Sequence, residues 1–441
     1  MRLQNFNALL STINDIPRVK RDGSVTSTSS NLIQVRGLSS FGQVGDLVMV
    51  HPTSAAPVFG EVLALRESIT DVLPETGSRG IALGDRVSHL GPTRIMPDTS
   101  WLGRIIDPLL RPLDGKPLCN GATEVSLMAA PPVPSTRRRL GDRLSTGLAA
   151  FDTLIPIVRG QRLGIFSGSG VGKSTLLADL AKGVQADVVV ITLIGERGRE
   201  LRDFVEDTLG AEGLKRAVVI AATSDQSAML RRRCAWIGMA VAEYFRDQGA
   251  HVLLLADSVT RFAEAHREIA LASGETASLQ GFPPSTSQEL MALSERAGPG
   301  KIGSGDITAI FSVLVQGSDM EGPIADIMRG VLDGHVILSR EIAERGRFPA
   351  IDVSKSVSRS LPNAASASEF NTLSEARQAI STYEETKILI KSGLYESGTS
   401  AAIDHAISVW PKIEAFLSGR HGFSIEKNFE MLNDCLTSTK S

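Results

Sequence analysis

The run Ser167-Gly168-Ser169-Gly170-Val171-Gly172-Lys173-Ser174 constrains the fold more than any other stretch of the chain. Gln161 to Phe166 before it reads as a buried strand, and Thr175 to Lys182 after it reads as a helix. A glycine-rich turn between strand and helix is the setting of a Walker A phosphate loop. The first N–H groups of a helix lack partners inside it, and the helix dipole puts partial positive charge there. Gly168, Gly170 and Gly172 free the backbone to wrap a phosphate with its N–H groups pointing inward. In this pattern Lys173 meets the β- and γ-phosphates of ATP, and the Ser174 hydroxyl takes Mg²⁺. Residues Ser167 to Thr175 are the expected nucleotide-binding loop. Ser167 stands at the first glycine of the strict pattern, where a small residue fits if its φ stays negative.

Two further apolar runs end in carboxylates. His251 to Ala256 leads into Asp257, and Val188 to Ile194 leads into Gly195-Glu196-Arg197-Gly198-Arg199. In an open α/β sheet, ligands gather at the carboxyl ends of the strands. Asp257 is therefore placed to hold Mg²⁺ through water, and Glu196 to polarise the water that attacks ATP. The alternative for Glu196 is a loop glutamate paired with Arg197 or Arg199. Phe348 could stack on a base or simply pack before Pro349. Arg359, in Ser356-Val357-Ser358-Arg359, has no acidic neighbour in sequence.

Around this centre the chain divides into four parts. Residues 1–24 hold an amphipathic stripe (Leu3, Phe6, Leu9, Leu10, Ile13) and then a linker, continued by a Ser/Thr-rich stretch to Ser30. Residues 25–95 show short strands at Leu32–Val35, Asp46–Val50, Val58–Leu65 and Arg86–Leu90, the spacing of a small β-barrel. Residues 96–360 alternate strand and helix patterns, as a mostly parallel α/β sheet requires. The expected strands there end with Ile307–Val315 and Gly334–Leu338. Residues 361–441 read as helices. Arg137-Arg138-Arg139 reads as a solvated charge run.

Bulk properties exclude other classes. A net charge of −3 gives no electrostatic case for a nucleic-acid partner. Cys119, Cys234 and Cys435 form no metal spacing and suit a reducing cytosol. No apolar run reaches membrane-span length, and the first residues lack a signal-peptide core.

Beyond these readings, SGSGVGKS, LIGERGRE, LLLADSVTRFAEAHREIAL, DITAIFSVLVQGSDMEGPIAD, LDGHVILSR and FPAIDVSKSVSR together resemble the export ATPases of type III secretion. These are relatives of the catalytic β subunit of rotary F-type ATP synthases. The resemblance covers about Leu32 to the C-terminus and is nearest to the flagellar branch, with the injectisome branch as the alternative. It implies a homohexamer with its sites between subunits. Lys173, Glu196 and Arg359 would be catalytic, Arg359 as a finger reaching the next subunit's site. Asp257 would be the Walker B acid, and Phe348 would stack on adenine. The cofactors implied are ATP and Mg²⁺. The partners implied are a stator-like regulator at the N-terminus, a central stalk in the pore, the export gate, chaperones and export substrates. The implied place is the cytoplasmic face of the inner membrane. Departures from the family pattern occur at Ser167, Gln280 to Ser285 and Gln316 to Asp319. A rotary synthase subunit, an RNA translocase of the Rho type and a non-catalytic ring subunit are the competing readings; Glu196 argues against the last.

Overall fold

The computed structural model describes residues 21–29, 31–315, 320–419 and 424–437. The N-terminal stripe from Leu3 to Ile13 and the Gln316 to Asp319 departure lie outside the described residues. Strands β1 (Asp22–Thr28), β2 (Ile33–Arg36), β3 (Leu47–His51), β4 (Val58–Leu65), β5 (Ile69–Pro74) and β6 (Arg86–Gly91) close a barrel in the order β1-β2-β5-β4-β3-β6. Alternation does the work. Ile33 and Val35 on β2, and Val48 and Val50 on β3, point into a core that Val25, Val62, Val72 and Val87 complete.

The linker expected at residues 21–30 is corrected here. Asp22–Thr28 within it form β1, which pairs with β2 and β6 and so closes the barrel. Its pattern hid it, because Val25 alone among Ser and Thr residues faces the core. β5 was likewise missed.

The second domain is built on β7 (Arg104–Ile106), β8 (Arg162–Ser167), β9 (Val188–Glu196), β10 (Ala217–Thr223), β11 (His251–Asp257), β12 (Gly298–Pro299), β13 (Asp306–Leu314), β14 (Gly334–Leu338) and β15 (Ile351–Ser358). The sheet order is β15-β14-β8-β13-β11-β9-β10-β7, with β12 beside β13. β15 runs antiparallel to β14 and β12 to β13, and the other pairs are parallel. Helices of nine residues or more are α1 (Lys173–Gly183), α2 (Ala228–Asp247), α3 (Val259–Ala272), α4 (Ser285–Arg296), α5 (Pro323–Val331), α6 (Ala367–Lys391), α7 (Ala401–Leu417) and α8 (Ile425–Leu436).

Both faces of the sheet are covered, so its strands read as continuous apolar runs. Val189 and Ile191 of β9 join the core beneath α1 and the C-terminal helices, whereas Val190 and Ile194 join the core beneath α2 and α3. The barrel is tied to α2 by a buried ion cluster. Glu61 accepts from Arg232 at 2.6 Å and from Arg233 at 3.0 Å. Arg138 and Arg139 are exposed as expected, but the Arg137 guanidinium is drawn in, which corrects the sequence reading there. Arg137 donates to the carbonyls of Pro132, Ala297 and Glu295, and Arg138 pairs with Asp306 at 2.6 Å. Carbonyls brought from elsewhere in the chain draw the Arg137 guanidinium in. Among the described residues no helix is long and apolar enough to cross a membrane.

Candidate nucleotide site

Parallel strands bring their carboxyl ends to one edge. There Ser167 pairs with Leu314 and Leu338, and Asp257 with Leu193. β8 ends at the buried Ser167 in strand conformation, so the missing glycine costs the turn nothing. The left-handed positions fall on Gly170 and Gly172, at φ 77° and 83°. α1 then starts at Lys173 with its first N–H groups aimed into the turn. A β-carbon on Gly172 would sit 3.2 Å from the Phe348 ring, so the loop and that ring are in close contact. Phe348 is otherwise exposed and stands just before β15, whose first residue pairs with Leu338 at the same edge. Arg340 donates to the carbonyl of Ser169 at 3.3 Å, steadying the loop from outside.

Three side chains meet at the centre. The Lys173 ammonium donates to Asp257 Oδ1 and lies 3.7 Å from Glu196 Oε1. It is also 3.4 Å from Ser312 Oγ, which donates to Asp257 Oδ1 at 2.6 Å. Glu196 therefore pairs with Lys173, whereas Arg197 pairs with Glu200 and Arg199 with Asp203. Burial, followed by the negative charge of Asp257, raises the Glu196 carboxyl to about 7 against the pull of Lys173. A carboxylate poised near neutrality is suited to take a proton from water.

The donor set fits a magnesium nucleotide. One cation faces two carboxylates, so Lys173 has charge partners that a triphosphate can replace. The exposed Ser174 hydroxyl and the buried Asp257 carboxylate are hard oxygen donors at the loop. Mg²⁺ takes few protein ligands and completes its octahedron with water and phosphate.

Arg359 is not brought to this cluster. β15 runs against β14, so Ile351 pairs with Leu338 at the loop edge while Ser358 pairs with Gly334 at the far edge. Ile351 and Ser358 stand seven positions apart along the strand, a rise of about 23 Å. The Arg359 side chain is exposed and donates to the carbonyl of Arg329 at 3.1 Å. Sequence reasoning missed Ser312 and Arg340. The signal for Ser312 was a lone hydroxyl late in the apolar run of β13. Nothing local marked Arg340, whose contact joins residues 171 positions apart.

The nucleotide-binding domain model of the ATP synthase alpha/beta family matches residues 147–358, and the C-terminal domain model of the type III secretion ATPase EscN matches 365–433. A flagellum-specific ATP synthase of Caulobacter vibrioides is 44% identical over 98% of this chain and 100% of its own length. The chain belongs to the flagellar and type III export ATPases. The Salmonella typhimurium flagellum-specific ATP synthase is 40% identical, over 94% of this chain and 92% of its own length. The assembled EscN ATPase of enteropathogenic E. coli superposes with a TM-score of 0.85 at 36% identity, covering 94% of this chain and 100% of that one. EscN has also been solved with its central stalk EscO, again at a TM-score of 0.85. The barrel, the nucleotide-binding sheet and the helical C-terminal segment of this export ATPase are thus the family's architecture, and the protein is an ATP hydrolase.

Proposed function

We propose that this export ATPase hydrolyses Mg-ATP at the interfaces of a homohexamer. Lys173 holds the phosphates, Ser174 and Asp257 hold Mg²⁺ directly or through water, and Phe348 stacks on adenine. Glu196 orients the attacking water and accepts its proton. Arg359 of the next subunit meets the charge that builds on the phosphoryl oxygens, where a planar, always-charged fork is well suited. The supporting observation is topological: Arg359 and the phosphate loop stand at opposite edges of one sheet. An arginine that serves a phosphate loop from there does so in the neighbouring subunit.

The bound Mg²⁺ supplies charge neutralisation to the transferring phosphoryl group. The stalk in the EscN complex supports a central stalk in the pore of this ring as well. The work done is release of chaperones and entry of export substrates at the gate, on the cytoplasmic face of the inner membrane. A stator-like regulator docks on the N-terminal segment.

Mixed rings test the site. Arg359→Ala retains Glu196, and Glu196→Gln retains Arg359. Combined, the two weak preparations form some interfaces with both groups intact, and part of the turnover returns. If native mass spectrometry shows mixed rings and turnover stays absent, the interface reading fails.

A further inference from the structure

Immediately before β8, the strand that ends in the phosphate loop, lies Gln161, a fully buried glutamine. Its Oε1 accepts the N–H of Val158 at 3.0 Å, which fixes which way the amide faces. Its Nε2 therefore points across the sheet. There it donates to the carbonyl of Asp333 at 3.1 Å and to Ser358 Oγ at 3.0 Å. The Asp333 carbonyl also accepts the backbone N–H of Arg359 at 3.0 Å. The Asp333 carboxylate is held in turn by Arg162, through its N–H at 3.0 Å and Nε at 3.1 Å. Ser358 Oγ donates onward to the Pro156 carbonyl at 2.7 Å.

We propose that Gln161 is a positioning residue for Arg359, fixing the base of that side chain against the strand that carries the phosphate loop. The proposal rests on Arg359 acting in the neighbouring site. An apolar residue in this buried place would leave the Val158 N–H without its acceptor and remove both donors to Asp333 and Ser358. A glutamine there joins the feet of β8 and β14 to the end of β15. Successive residues of a strand face opposite ways, so Ser358 is buried and tied while Arg359 points outward. Pinning Ser358 and the Arg359 N–H leaves the guanidinium free to reach but gives it a fixed origin. One end of β8 then holds a subunit's own nucleotide, and the other end registers the arginine that the subunit offers its neighbour.

The test is Gln161→Met, which keeps the volume and removes both the Nε2 donors and the Oε1 acceptor of the Val158 N–H. The parent-like half is nucleotide affinity in the variant's own site. The changed half is kcat, expected to fall about 10-fold to 100-fold, the scale of a misplaced reacting group. Mixed with Glu196→Gln, the variant recovers turnover as Arg359→Ala does, because its own glutamate is intact and its partner supplies a well-placed arginine. A merely structural lesion would damage the variant's own site as well and would not be complemented. Ser358→Ala, a smaller change, gives the same pattern at lower amplitude and stands in if Gln161→Met does not assemble. Parental kcat in these variants overturns the proposal. So does absent recovery with Glu196→Gln when the parallel Arg359→Ala mixture recovers. If that parallel mixture itself fails in mixed rings, the neighbouring-site reading falls and this inference with it.

Discussion

The two edges of the central sheet handle charge in opposite ways. At the carboxyl edge Lys173 faces two carboxylates, and Glu196 is held near neutrality by burial and by Asp257. At the amino edge the charges are closed into forks. Arg162 binds Asp333 and Glu295, Arg138 and Arg159 share Asp306, and Arg296 binds the buried Glu243. On the proposed role of Arg359, the difference teaches how one sheet serves two sites. The receiving edge keeps its charges exchangeable for a ligand, whereas the presenting edge spends its hydrogen bonds on holding a backbone still.

The strongest way to break this contrast is Arg359→Ala. If the amino edge exists to present that arginine, turnover falls about 10³–10⁵-fold while ATP affinity and ring assembly stay. Turnover at the parental rate would leave the amino edge as scaffolding alone. Both quantities come from steady-state kinetics beside nucleotide titration.

Glu196→Gln attacks the other edge and should cost about 10²–10⁴-fold in turnover with binding retained. A pH series sharpens it. With its carboxyl at about 7, kcat/KM should climb as pH rises through that value, and the glutamine variant should lack this limb. Stability without nucleotide runs the other way. The folded carboxyl lies above its ordinary 4.5, so its contribution is fully present below 4.5 and lost as pH rises through 7. A melting series of parent and variant that stays parallel across that window would refute the buried-charge account.

Phe348→Ala leaves both edges intact and removes the ring beside Gly172. Stacking of a base on an aromatic ring is worth about 1–3 kcal/mol, so ATP affinity should weaken by about 5-fold to 150-fold with kcat little changed. Unchanged affinity would mean that the ring serves only to pack the loop.

The smallest effect belongs to Ser312→Ala. One hydrogen bond to Asp257 is lost, worth about 1 kcal/mol, so a loss of about fivefold is expected in Mg-ATP turnover. A larger loss would move Ser312 from orienting Asp257 to a direct part in the reaction.

Much of the carboxyl edge was legible because its parts announce themselves locally. The glycines precede Lys173, and Glu196 and Asp257 each close an apolar run. The central strands were legible too, since burial on both faces makes them continuous apolar runs. β1 escaped because a barrel-closing strand needs few apolar residues, and β7 because it spans only Arg104–Ile106. Arg137 was misread because two of its acceptors come from about 160 residues away.

By itself, then, the sequence determined the phosphate loop, its strand and helix, and the two carboxylates, since these depend on backbone freedom and on neighbours a few positions apart. Only the tertiary structure decided that Lys173, Glu196, Asp257 and Ser312 meet, that Phe348 lies on Gly172, and that Arg359 stands at the opposite edge. Those facts depend on strand order and direction. The reversal of β15 against β14 turns an arginine eleven positions after Phe348 away from the very site that Phe348 touches.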